Sequence, residues 1–485
     1  MANYTRRRFL EDSLLAAAVM SAAPASRVFA AQDTPSKGPN EKLSAMIVGL
    51  NGRGSNHIGG MLSHSDQVEI TYLCDPDENV GNRRCDEVAK KQDRRPKWVA
   101  DMREGFDDKS LDIVTIATPN HWHALAAIWA MQAGKDVYVE KPVCHNVTEG
   151  RRMVETARKY KKICQTGTQC RSMKGSVDAI QYVHDGKIGE MKLARGLCYK
   201  PRGSIGPPGL FDPPEGVDYN LWQGPATERP ITRRRFHYDW HWQYHWGNGD
   251  MGNQGPHQMD LARWGLQWDS LSENVISYGG RMGYEDAGDV ANTQVAIHNL
   301  GDETLVFEVR GLKTDPLRGA KIGVIFYGSK GYVVLTSYTH GAAFDLDGNQ
   351  IVAFDGGGDH YGNFLDAVHS RNHEDLHADI LEGHLSASLA HTGTISYRLG
   401  EEISVAGLKD AVAKLQSNDD SLETLDRTIS HLEDNGVDLA KTKLTLGPML
   451  KMDPKSETFL GNDAANAMLT REYREPFVVP AAGEV

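Results

Sequence analysis

Cysteine is scarce in this chain and poorly placed for metal work. The six, Cys74, Cys85, Cys144, Cys164, Cys170 and Cys198, all fall in the first two hundred of 485 residues. They lack the paired close spacing of a zinc site, so buried thiols are expected, with a disulfide left open. Positive charge is also short. Fifty-three Lys and Arg against 65 Asp and Glu leave a formal net charge of -12, a field that repels phosphate backbones and anionic lipid surfaces. Nucleic acid is therefore not an expected partner. Beyond the N-terminal segment no apolar run approaches transmembrane length, and there is no internal repeat or low-complexity tract. What is present is ordinary globular composition, 40% hydrophobic and 24% charged, which excludes a disordered chain. The length predicts two or three domains.

The first thirty residues stand apart. Thr5-Arg6-Arg7-Arg8-Phe9-Leu10 precedes a modest apolar run from Leu14 to Ala25, and Val28-Phe29-Ala30 offers small residues for cleavage. This resembles a twin-arginine export signal. Ser21 and Pro24 interrupt the run, which argues against a membrane anchor. Twin-arginine export machinery is thus an expected partner, and a periplasmic or otherwise exported location follows. Such export carries folded proteins and suits an enzyme that loads its cofactor in the cytoplasm.

The chain then divides as follows: residues 1–30 signal, 31–41 linker, 42–168 a first domain, 169–400 a second, and 401–485 a helical and irregular extension. In the first domain, strand candidates Ala45 to Val48, Val68 to Leu73, Leu111 to Ala117, Val137 to Val139 and Ile163 to Gln165 alternate with helical stretches. Near-continuous apolar strands of this kind predict βαβ units and a parallel sheet. From about Gly189 longer alternating runs follow, Met191 to Tyr199, Val275 to Arg281, Thr293 to Ile297, Thr304 to Val309, Ile322 to Tyr327 and Tyr332 to Ser337. With helices at His257 to Leu266 and Glu382 to Leu399, they predict an α+β domain with a largely antiparallel open sheet. The fold class is α/β, a Rossmann domain followed by this second domain.

The first strand runs into Gly49-Leu50-Asn51-Gly52-Arg53-Gly54. Against G-x-G-x-x-G, Gly49 and Gly54 match and Asn51 takes the middle position, where it tolerates a left-handed backbone better than most residues. A plain tight turn is the alternative. The second strand ends in Asp75, where such a domain places the acid that binds the adenosine ribose; a carboxylate there repels a 2′-phosphate and favours NAD over NADP. Two further strand ends carry Thr118-Pro119-Asn120-His121-Trp122-His123 and Glu140-Lys141-Pro142, on the sheet edge where ligands bind.

Taken in this order, these motifs resemble the glucose-fructose oxidoreductase and inositol dehydrogenase family, Gfo/Idh/MocA, closely over Leu43 to Gln169 and loosely beyond. The resemblance implies NAD, tightly held, against Gly49, Asn51, Gly52, Arg53, Gly54, Asp75, Thr118, Pro119, Asn120, His123, Glu140, Lys141 and Gln169. It implies that Lys141 orients a substrate hydroxyl, and a buried ammonium does stabilise a developing alkoxide. In the second domain, Gly247 to Asp260 resembles the family's glycine-rich segment ending in G-x-H-x-x-D. His257 falls on the family's general base, work that suits an imidazole. Where many members carry aspartate, this chain has Asn253. Arg171 resembles a family position between cofactor and substrate.

Just upstream lies Arg233 to Trp246, dense in aromatic rings and imidazoles. His237, Trp240 and Tyr244 are expected to contact a carbohydrate, because flat rings cover the apolar face of a pyranose. His237, His241 and His245 recur every four residues, so a helix there would present metal ligands on one face; core packing is a third alternative, and no metal is assigned. His384 and His391 either reach the pocket or serve the core. The leading expectation is hydride transfer between a sugar, polyol or glycoside and NAD, with Lys141 and His257 catalytic. An exported enzyme has no maintained nicotinamide pool. That supports an alternative, a glycoside hydrolase or epimerase that oxidises its substrate transiently and returns the hydride. A non-catalytic sugar binder is the third reading, opposed by the presence of both Lys141 and His257. A homodimer or homotetramer is implied by the resemblance alone.

Overall fold

The computed structural model describes residues 41–485. The expected export signal and nearly all of the linker lie outside the described residues. The chain opens with β1 (Leu43–Val48), α1 (Gly54–Leu62), β2 (Val68–Cys74), α2 (Glu78–Ala89), β3 (Lys97–Val99), β4 (Ile113–Ile116), α3 (Asn120–Gln132), β5 (Asp136–Val139), α4 (Val147–Lys159) and β6 (Cys164–Thr166). The six strands form one parallel sheet in the order β3-β2-β1-β4-β5-β6. The order reverses between β1 and β4, and the crevice at that switch point is where ligands bind. β3 adds to the expected strands; three residues on an edge carry too little pattern to announce it.

α3 explains a puzzle of pattern. All but two of its thirteen residues are buried, so it has no polar face, which marks a helix covered on every side. Its outer side is capped by the C-terminal tail: Phe477 packs edge-on to Trp122 at 5.5 Å and tilted against Trp129 at 6.1 Å. Such ring pairs add about 0.5–1.5 kcal/mol beyond area burial.

The second domain carries α5 (Lys174–His184), β7 (Met191–Tyr199), α6 (Gly255–Leu266), β8 (Asn274–Gly280), β9 (Thr293–Leu300), β10 (Glu303–Arg310), β11 (Ile322–Gly328), β12 (Gly331–Leu335), β13 (His340–Asp345) and β14 (Gln350–Asp355). They form a largely antiparallel sheet in which only the β7–β10 pair among these strands is parallel. α7 (Ile380–Arg398) is buried along most of its length and touches α4, α6 and β8. It therefore mortises the two domains together. His384 and His391 serve this joint: His384 Nε2 meets Glu457 at 2.8 Å, and His391 Nε2 meets the Cys144 carbonyl at 3.1 Å.

The last eighty-five residues do more than extend the chain. Strands Glu401–Ile403, Leu444–Leu446 and Leu450–Asp453 join the sheet beside β8. Helices Val405–Val412 and Ser421–Asp434 cover β8, β9 and β10 with Leu408, Val412, Leu425 and Leu432. Under that cover Arg195 of β7, Glu308 of β10, Asp419 and Arg427 form a charge cluster. Burial alone would raise the Glu308 carboxyl; the arginines hold it well below the usual carboxylate range. All six cysteines are free and buried.

Candidate active site

Both domains wall a cavity of about 490 Å³ over the carboxyl ends of the parallel strands. At its first end the β1–α1 turn is set by sterics. Gly49 sits at φ +82°, and a Cβ on it would lie 2.7 Å from the Ala117 backbone, so β1 and β4 can close on each other only at glycine. A Cβ on Gly54 would lie 2.0 Å from the Gly49 carbonyl oxygen, so α1 starts tight against the turn. Gly52, at φ +46°, faces open space. α1 has no side-chain cap, and its first amides turn back onto the glycine loop, Gly54 N–H donating to the Asn51 carbonyl at 2.9 Å and Ser55 N–H to that of Gly52 at 3.2 Å.

Asp75 follows β2. It accepts from Leu50 N–H at 2.9 Å and from Asp77 N–H at 3.0 Å, so it shapes the turn as well as facing the cavity. Burial pushes its carboxyl up to about 6, against the pull of those two bonds. Thr118, Pro119 and Asn120 line the floor, and the buried Thr118 Oγ1 has no partner. The open face of Gly52, the start of α1 beside it, the carboxylate at the β2 end and this orphaned hydroxyl fit a dinucleotide laid across the switch point.

His123 reaches the cavity wall and ties two motifs: its ring nitrogens lie 2.7 Å from the Thr118 carbonyl and 2.6 Å from that of Pro142. Glu140 ties two more. Its Oε1 accepts from Arg53 Nε at 2.6 Å and from Gln169 Nε2 at 3.3 Å, and meets His57 Nε2 at 3.2 Å. Burial alone would raise this carboxyl, but the Arg53 guanidinium and the His57 bond hold it well below its usual range. The glycine turn is thus latched to the end of β5. Gln169 lies behind the cavity as part of this latch, also bonded to the Tyr138 hydroxyl at 3.0 Å.

At the second end Lys141 Nζ donates to the Asn253 carbonyl at 2.7 Å, with Asn253 Oδ1 at 3.5 Å. Burial lowers its pKa from the ordinary lysine value, against the attraction of Glu140. Asn253 ends the short helix Gly249–Asn253 and lines the cavity. His237 and Trp240 line it too, His237 bonded to Asp77 at 3.0 Å.

Besides Gln169 and Gly54, which also lie outside the cavity lining, three expected site residues stand elsewhere. His257, on α6, is buried outside the cavity lining, its ring 4.8 Å from that of Tyr338 and its Nδ1 without a partner. Arg171 is bound by Asp260 and Glu382, which makes it a buried tie between α6 and α7. Tyr244 lines a different cavity. The four-residue histidine spacing is not a helical face, because the segment is a single 3₁₀ turn, Asp239–Trp242, between loops. The residue that sequence reasoning placed only in this ladder is His241. It lines the cavity, stacks on Trp240 at 3.7 Å, and its Nδ1 lies 2.5 Å from the Tyr238 carbonyl. A carbonyl only accepts, so Nδ1 carries the proton and Nε2 is left with its lone pair. Burial, with Lys141 and Arg202 nearby, lowers its pKa to about 3.

Two domain families match this chain. One, described as oxidoreductase family, NAD-binding Rossmann fold, covers residues 43–168; the other, oxidoreductase family, C-terminal alpha/beta domain, covers residues 210–432. The chain belongs to the Gfo/Idh/MocA family. Its N-terminal domain is that family's NAD-binding Rossmann domain, as the motif order implied. Among curated relatives, a Glycosyl hydrolase family 109 protein of Shewanella pealeana is 31% identical over 201 residues, 38% of this chain and 44% of its own length. An alpha-N-acetylgalactosaminidase of Shewanella oneidensis is 26% identical over 207 residues, 39% of this chain and 45% of its own. The matched part thus spans less than half of these relatives. The fold is shared with the WlbA dehydrogenase from Bordetella pertussis, solved with NADH and UDP-GlcNAcA, at TM-score 0.55 and 18% identity over 73% of this chain and 97% of that one. It is shared equally with a levoglucosan dehydrogenase solved with NADH and levoglucosan, at TM-score 0.56 and 18% identity over 72% and 95%.

Proposed function

We propose that this protein is an exported enzyme that uses a retained NAD to oxidise a hydroxyl of a sugar or glycoside. The observation that carries the reading is that Lys141 and His241 face one cavity with the dinucleotide cradle. When bound, NAD supplies the hydride acceptor. Lys141, held by Asn253, donates to the substrate oxygen and stabilises negative charge there. His241 Nε2, its ring fixed by Tyr238 and Trp240, is the lone pair that meets the hydroxyl proton, and substrate binding has to raise its pKa from about 3 for it to hold that proton. Trp240 covers an apolar sugar face. The twin-arginine segment, tight NAD retention and a dimeric or tetrameric assembly belong to the same proposal.

A second reading, transient oxidation with glycoside cleavage and return of the hydride, is favoured by the family 109 names of the curated relatives. The cavity lining supports it. Among the described residues Glu140 is the one carboxylate lining the Lys141 end, and it is committed to Arg53, whereas direct hydrolysis uses a pair of carboxylates flanking the bond.

The test starts with protein purified after export. Its near-ultraviolet spectrum should show bound nicotinamide. Glycosides and free sugars are then added while the reduced-cofactor band and the products are followed. A lasting band rise without cleavage supports the oxidoreductase, and product without lasting rise supports the cyclic hydrolase. His241→Asn should lower the rate about 10²–10⁴-fold with NAD still bound. If His257→Asn does so and His241→Asn does not, the base assignment is wrong. Absence of any dinucleotide binding would sink the whole reading.

A further inference from the structure

The wall that carries His241 has a second side. A few residues on, Tyr244 and His245 turn into a separate cavity of about 330 Å³, closed by His145 and by the C-terminal stretch at Arg471. Arg229, Arg398 and Arg471 converge there, and among the described residues none of the three is in an ion pair. Arg471 is half-buried, with Nη1 donating to the His245 carbonyl at 3.1 Å and lying 3.4 Å from His145 Nδ1. The Arg398 guanidinium carbon lies 4.1 Å from the centre of the Tyr244 ring. Two carboxylates also line it, Asp289 and Glu472. Asp289 is engaged by the Tyr244 amide at 2.6 Å, and neither forms an ion pair with the arginines.

Arg229 and Arg471 repel one another, and burial opposes the Arg471 charge further, against the attraction of the buried Glu149 carboxyl. Three unpaired guanidiniums present planar forks that match the oxygens of a carboxylate, sulfate or phosphate. We infer that this cavity is a second binding site for an oxyanion group, distinct from the NAD cleft and sharing only the aromatic wall with it. The group is either a free inorganic oxyanion or an acid carried on a sugar. Tyr244, placed here and not in the NAD cleft, sets its ring against the Arg398 guanidinium at the cavity.

Thermal melts of the full protein at constant ionic strength test this, with phosphate, sulfate, glucuronate or glucose set against chloride. An anion that binds the folded state raises Tm in a saturable way. At least one of the three oxyanions should do so through a shift that the double variant below removes, whereas any shift from glucose, which can enter the NAD cleft, should survive in that variant. Glucuronate tighter than phosphate identifies a sugar-borne acid; phosphate or sulfate tighter identifies a free oxyanion. Arg229→Gln with Arg398→Gln, both exposed positions, should weaken binding at least tenfold. Arg398→Lys, which keeps the charge and loses the fork, should weaken it less. Oxyanions no better than chloride, or unchanged binding in the double variant, would overturn the inference.

Discussion

Replacing Glu140 by glutamine tests whether the glycine turn is latched to the β5 end by charge. The carboxylate is 4% exposed and Arg53 is 40% exposed. In Glu140→Gln the side-chain amide keeps an acceptor for Arg53 but loses the charge that three donors share. Breaking a fully buried pair costs about 3–5 kcal/mol; with Arg53 partly in water, screening reduces that to about 1–3 kcal/mol. For a domain of this size the change lowers Tm by about 2–4 °C per kcal/mol. Chemical denaturation monitored by tryptophan fluorescence would give the free energy directly, and NAD titration would show weaker binding, because Arg53 and Lys141 flank the lost charge.

The pH dependence is the sharper part. Glu140 is depressed below its ordinary value of 4.5, so its contribution is complete above that pH and is lost as pH falls toward the folded value. The amide of the variant does not titrate. The gap between wild type and Glu140→Gln should therefore be full at pH 7 and narrower at pH 3.5. A gap of equal size at both, or none at pH 7, would refute the latch.

Because burial raises Asp75 to about 6, NAD affinity should fall as pH drops from 7 to 5 through protonation of the ribose acceptor. Fluorescence titration of Asp75→Asn should give weaker binding with that dependence flattened. Glu308→Gln removes the carboxylate that Arg195, Arg310 and Arg427 share beneath the C-terminal helices, leaving Arg195 to Asp419 and Arg427 to Glu423, and should destabilise by about 3–5 kcal/mol, read from urea midpoints; a loss under about 1 kcal/mol, the range of exposed pairs, would mean the cluster is solvated. Asn253→Asp puts a carboxylate beside Lys141 Nζ, where the amide oxygen now lies at 3.5 Å. It should raise the lysine pKa and move the basic limb of the rate profile to higher pH, and an unmoved limb would separate Lys141 from the chemistry.

What is legible in the sequence is what neighbours in the chain decide. β1, the Gly49 to Gly54 turn, Asp75 and the order of strand ends follow from local pattern, and the parallel sheet follows from their alternation. The edge strands β3 and β14, and β13 paired between β12 and the β14 edge, escape such reading because strands at or next to an edge need little apolar pattern. The site itself divides along the same line. Glu140, Thr118 and Lys141 are fixed to the cavity by the strands they end, so their positions follow once the sheet order is known. Arg171, Tyr244, His257 and His241 are placed by packing between segments distant in the chain, and residue type says nothing about whether a side chain is already satisfied. Arg171 has the chemistry of a ligand-binding residue, yet Asp260 and Glu382 hold it. His257 falls on a family motif but sits behind the cavity wall. His241, with no motif of its own, is open to the cavity because Gly247 lets the chain turn against it; a Cβ there would lie 2.8 Å from the His241 Cα. A base role for His241 therefore depends on that close turn, in which a single glycine sets which imidazole faces the cavity.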